Sequence, residues 1–109
     1  MQTKDYPVKL VRDRIGDMLE PGTTHYETIK HEEHLKLLRG KLIEEAAEYL
    51  VDPSLEELAD VLEVIEALCT IDLGCSRQQL EETMLEKRRQ RGGFVKGVVL
   101  INSAEAKTD

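Results

Sequence analysis

Residues 42–68 read LIEEAAEYLVDPSLEELADVLEVIEAL. Two amphipathic runs meet at Asp52-Pro53-Ser54, where proline cannot continue a helix and serine can start one. Between Leu42 and Ser76 there are ten acidic side chains and not one Lys, Arg or His. Glu45 and Glu48 stand three residues apart in the first run, Glu57 and Asp60 three apart in the second. Three residues are about 60° round an α-helix, so each pair puts two carboxylates on one face, about a turn apart. On neighbouring antiparallel helices the two pairs would enclose one small volume. Unneutralised, such a cluster repels itself; a hard divalent cation with oxygen ligands resolves it.

Acidic runs on amphipathic helices commonly form only the solvated face. A wheel at about 100° per residue sets these carboxylates apart from that pattern. In the second run Leu58, Val61, Leu62, Ile65, Leu68 and Cys69 form an apolar arc that Val64 extends. Glu57 falls inside the arc and Asp60 at its edge, whereas Glu56 and Glu63 take the opposite face. In the first run the stripe is Leu35, Leu38, Leu42, Ala46, Tyr49 and Leu50, with Glu45 beside Leu38 and Glu48 one step further out. A carboxylate at the border of a buried face needs a partner, and no basic residue within this hairpin supplies one. Ser54-x-x-Glu57 also matches a capping box, which would fix where the second helix starts and therefore where Glu57 and Asp60 point.

The remaining pattern is helical. A short helix is expected over 11–19, stopped by Pro21-Gly22, and a long one over 31–51 with Gly40 tolerated inside it. The third spans 55–72 and ends at Gly74; the fourth starts after Ser76 and closes at Gly92-Gly93. Residues 98–101, apolar and β-branched, read as a short strand or extended arm. Short turns imply antiparallel neighbours, hence an all-α antiparallel bundle of about four helices with a short extended C-terminal segment. At 109 residues the chain is expected to be one domain, residues 1–109, small enough for oligomerisation to help bury apolar surface. A net charge of −7 argues against binding a nucleic-acid polymer. No apolar run approaches the ~20 residues of a membrane helix, and the charged first fifteen residues lack a signal-peptide core. Two cysteines suit a reducing cytoplasm.

The fourth helix adds complementary chemistry. Lys87 and Arg91 continue the stripe begun by Leu80 and Met84, with Arg88 flanking it. Cations near a helix C-terminus often do no more than complement its dipole, but KRRQRGGF at 87–94 is denser than that requires. Basic groups in the same small domain as a carboxylate cluster suit a phosphate ester bound with a metal. His31 and His34 share a helical face, yet no third ligand accompanies them at zinc-site spacing.

KLVRDRI at 9–15, KLIEEAAEYL at 41–50, ELADVLEVIEAL at 57–68 and EKRRQRGGF at 86–94 resemble, in order, the MazG-like all-α nucleoside triphosphate pyrophosphohydrolase superfamily. The likeness is to its short, phosphoribosyl-ATP pyrophosphohydrolase-like branch. Gly16 departs from it, standing where proline would be expected. The resemblance implies Mg2+ (or Mn2+) held by Glu45, Glu48, Glu57 and Asp60, with Glu44 completing the double-glutamate motif. Either Glu44 or Glu48 would act on the attacking water, and Lys87 and Arg91, flanked by Arg88, would bind phosphate. The implied reaction cleaves a nucleoside triphosphate between the α and β phosphates, giving nucleoside monophosphate and pyrophosphate, in a homodimer or dimer of dimers. Two other readings stand beside it: a non-catalytic acidic helical dimer that senses nucleotide or binds a protein, and phosphoribosyl-ATP hydrolysis in histidine biosynthesis. Tyr6, Tyr26 and Phe94 are the candidates for stacking on a base.

Overall fold

The computed structural model describes residues 8–19, 22 and 26–102, and they are helical, with no strand among them. Pro21 and Tyr6 lie outside the described residues. Among the described residues are three α-helices: α1 (His31–Val51), α2 (Leu55–Ala67) and α3 (Arg77–Arg91). The chain divides into two compact units, Met1–Arg77 and Gln78–Asp109.

In the first unit α1 and α2 form an antiparallel hairpin across Asp52-Pro53-Ser54. Ser54 is the N-cap expected from its spacing: its backbone is extended (φ −145°, ψ 164°) and its hydroxyl accepts a hydrogen bond from the Glu57 N–H at 3.2 Å. That bond satisfies one of the four orphan donors at the start of α2 and sets the helix phase.

The packing line of the hairpin is narrow. Leu38, Val64 and Cys69 are the buried apolar residues, and Glu45 is buried with them. Leu38 and Glu45 are seven residues apart, as are Glu57 and Val64, so each pair lies along one line of its helix. The arc read from the sequence is therefore displaced: Leu58 and Leu62 are exposed, and half-buried Glu57 lies in line with buried Val64. The apolar surface is wider than one neighbour can cover.

The third expected helix runs on from α2 through a π-turn (Leu68–Asp72), where the Leu73 N–H reaches the Leu68 carbonyl at 3.2 Å. Gly74, at φ +66°, ends the helical run, and the Cys75 N–H closes on the Cys69 carbonyl at 2.9 Å. Arg39 of α1 grips Asp72 through two hydrogen bonds of 2.8 and 2.7 Å, tying the end of the turn to the middle of α1. The Cys69 thiol donates to the Ser76 carbonyl at 3.2 Å, and both cysteines are free thiols.

The helix expected over 11–19 does not form. Residues 13–15 make a turn and Gly16–Met18 one turn of 3₁₀ helix, with Ile15 and Leu19 half-buried. Nine residues are too few to repay helix nucleation, and a 3₁₀ turn tucks the same two apolar side chains inward. The Tyr26 ring lies against Gly16, where a Cβ would come within 2.5 Å of it. That contact gives position 16 its own reason to lack a side chain.

In the second unit α3 runs on to Arg91 and ends at Gly92 (φ +82°), whose N–H bonds the Arg88 carbonyl at 2.7 Å. α3 buries no residue. The segment after it, including Phe94, Val95 and residues 98–101, is exposed and carries no strand, so the strand expected as one reading of 98–101 does not form. No helix among the described residues is long and apolar enough to cross a membrane.

Candidate metal centre

Antiparallel pairing of α1 and α2 brings the acidic ends of their two packing lines together near the turn. Carboxylate oxygens of Glu45, Glu57 and Asp60 lie within 4.8 Å of one another. A second triplet, Glu44, Glu45 and Glu48, meets the same limit. The four carboxylates expected in one set thus fall into two overlapping groups that share Glu45, with Glu48 in the outer one.

Glu57 has the least satisfied side chain of these acids. Its Oε1 is buried and has no hydrogen-bond partner. Burial raises the Glu57 carboxyl above its ordinary value, and the negative charges of Glu48, Asp60, Asp52 and Glu45 raise it further. The N-cap bond uses the Glu57 backbone, not its side chain, so the capping role leaves the carboxylate unspent.

Glu44, Glu45 and Asp60 do have cationic neighbours, and Lys41 on α1 corrects the expectation that the hairpin supplies none. Lys41 Nζ is 3.3 Å from Glu44 and 3.3 Å from Glu45. It lies one residue before the acid-only stretch, at the i, i+3 and i, i+4 spacings that let helical side chains meet. Asp60 pairs with Arg12, far away in the sequence. Neither Lys41 nor Arg12 was among the site residues expected, and neither pairs with Glu57.

The donor set fits a hard cation. All ligand atoms are carboxylate oxygens, no thiol or imidazole shares the cluster among the described residues, and one oxygen is already stripped of water without a partner. Magnesium and manganese suit such oxygens by their preference for hard carboxylate ligands. His31 is exposed and His34 half-buried, and among the described residues no cluster of potential ligands contains either.

Within the second unit, Met84, Lys87, Arg88, Arg91, Gly92 and Phe94 line an open cleft of about 630 Å³ at the C-terminal end of α3. The three cations expected to bind phosphate therefore share one concavity, beside a Phe94 ring that is 94% exposed. Arg89 does not line it and pairs with Glu86 along the helix.

No family model matches the chain, and no curated protein or solved structure matches it either. The resemblance to MazG-like hydrolases is carried by the quoted motifs alone.

Proposed function

We propose that the cluster of Glu45, Glu57 and Asp60 binds a divalent cation, and that the chain is a magnesium-dependent nucleotide pyrophosphohydrolase. The observation that carries the metal reading is the buried, unpartnered Oε1 of Glu57, on a side chain clustered with two more carboxylates. A protein seldom leaves such an oxygen without a partner, because desolvation of an unpaired charge is costly. Bound there, magnesium or manganese would neutralise phosphate charge and polarise the anhydride.

The chain's own groups divide the remaining work. Glu45, Glu57 and Asp60 hold the cation, with Glu48 joining from the outer triplet. Glu44 and Glu48 stand in that outer triplet, where one of them can accept a proton from the attacking water or orient it. Lys87, Arg88 and Arg91 are assigned to phosphate on their chemistry: guanidinium and ammonium groups bind phosphate oxygens through charge-assisted hydrogen bonds. Cleavage between the α and β phosphates, nucleoside triphosphates as substrates and a cytoplasmic setting belong to the same reading.

Self-association is a further part of it. Ile43 and Leu50 on α1 and Leu55, Leu58 and Leu62 on α2 are exposed. In an antiparallel pair, the helical phases of Ile43, Leu50, Leu58 and Leu62 put them on the face of the hairpin away from Glu44 and Glu48. A two-helix layer with one apolar face is completed by a second copy, which leaves the acidic side open.

The direct test is to incubate the purified protein with a panel of nucleoside triphosphates and magnesium, then analyse the products. Nucleoside monophosphate and pyrophosphate in equal amounts support the proposal. Failure to cleave any of them, while magnesium still binds, would leave a metal site without this chemistry and refute the hydrolase.

A further inference from the structure

Arg12 belongs to the KLVRDRI motif, to which the sequence assigns no chemistry, yet it reaches 48 residues along the chain to Asp60. The two native cations at the carboxylates are held differently. Lys41 is wedged between Glu44 and Glu45 with its side chain 16% exposed. The Arg12 side chain is 59% exposed and comes from a stretch with no regular helix, so only an exposed ion pair joins it to α2. Exposed ion pairs are weak and exchange readily with other charges. A divalent cation shared by Glu45, Glu57 and Asp60 would supply the charge that Arg12 gives Asp60, and would repel the guanidinium as well.

The guanidinium set free would lie at the rim of the cluster. Its planar fork of donors matches phosphate. We propose that Arg12 is the exchangeable cation of this site: it holds Asp60 when no metal is bound, yields Asp60 to a divalent cation, and then binds phosphate oxygens of the nucleotide. The inference rests on the metal reading above and adds a phosphate-binding residue from outside the helices to that reading.

The two halves of the role move two affinities in opposite directions, which a merely structural arginine would not do. Full-length wild type, Arg12→Gln and Arg12→Lys are titrated with magnesium chloride alone, followed by calorimetry. Each is then titrated with α,β-methylene-ATP at saturating magnesium. Losing the competing ion pair should tighten magnesium binding to Arg12→Gln by about two- to five-fold. The same change should weaken the nucleotide analogue by about tenfold or more, the scale of one hydrogen bond between charged groups. Arg12→Lys, which keeps the charge and loses the fork, should bind magnesium like wild type and the analogue more weakly. Magnesium binding that is unchanged or weaker in Arg12→Gln overturns the exchange, and unchanged analogue binding overturns the phosphate role. Wild type that binds no magnesium removes the metal reading and this inference with it. Wild type that binds magnesium while Arg12→Gln behaves identically refutes Arg12 alone.

Discussion

Ser54→Ala tests how local sequence controls the site. The Ser54 hydroxyl makes one hydrogen bond, accepting from the Glu57 N–H at 3.2 Å, and alanine leaves that donor without its cap. N-cap losses of this kind cost about 1 kcal/mol, within a range of roughly 0.5–2 kcal/mol. The bond is part-buried and of ordinary length, so the middle of that range applies. For a domain of this size, about 1 kcal/mol lowers the melting temperature by roughly 4–8 °C. The same hydrogen bond fixes the phase of Glu57 and Asp60 in the first turns of α2. Ser54→Ala should therefore also weaken magnesium binding, although the mutated side chain is no ligand. Circular-dichroism melts with and without magnesium chloride measure both effects, and Ser54→Asn, which restores a capping oxygen, should recover both. A Ser54→Ala protein that melts like wild type and responds to magnesium like wild type would refute the link between cap and site.

Three other perturbations probe the remaining elements. Arg39 holds the Asp72 carboxyl below its ordinary value, chiefly through their hydrogen bonds, so this pair contributes stability that is present above the unfolded value near 3.8 and lost as pH falls through the depressed folded value; the difference in melting temperature between wild type and Asp72→Asn should shrink as acid melts are carried below pH 3.8. Lys87→Ala should lower kcat/KM about tenfold or more while Arg89→Ala, whose partner is Glu86 and which lies off the cleft, stays near wild type; steady-state kinetics showing equal silence in both would return the end of α3 to a dipole-complementing role. Sedimentation at micromolar concentration should show a dimer or larger species that Leu58→Lys dissociates, and a folded wild-type monomer would contradict the apolar-face argument.

Elements whose signals are local were legible in the sequence. Pro53 with Ser54-x-x-Glu57 marks the turn and the start of α2, and Gly92 marks the end of α3, because caps and breakers act within a few residues. Lys41 was legible too, at i, i+3 and i, i+4 from Glu44 and Glu45, but it lies just outside the acid-only stretch. The helix expected over 11–19 rests on the Pro21-Gly22 stop, and a stop signal says little about whether so short a segment can nucleate. The wheel of α2 grouped the apolar residues correctly but could not say which edge meets α1. That depends on the tertiary pairing, which favours the line through Glu57 and Val64 over the one through Leu58 and Leu62. Arg12–Asp60 and Arg39–Asp72 span 48 and 33 residues, and no periodicity reports contacts at that range.

Glu57 is half-buried, with one buried oxygen that has no partner, and is proposed to be kept for a cation. Its folded value is raised above the unfolded one, so the charged form opposes folding once pH passes the unfolded value. The most direct measurement is the melting temperature of wild type and Glu57→Gln at pH 7 as magnesium chloride is titrated. Metal-free Glu57→Gln should melt no lower than wild type, since it removes a repelled charge. Wild type alone should then gain stability with magnesium, by about 2.7 kcal/mol at one hundred times its dissociation constant. A wild type indifferent to magnesium, or a Glu57→Gln protein that gains as much from it, would contradict the account.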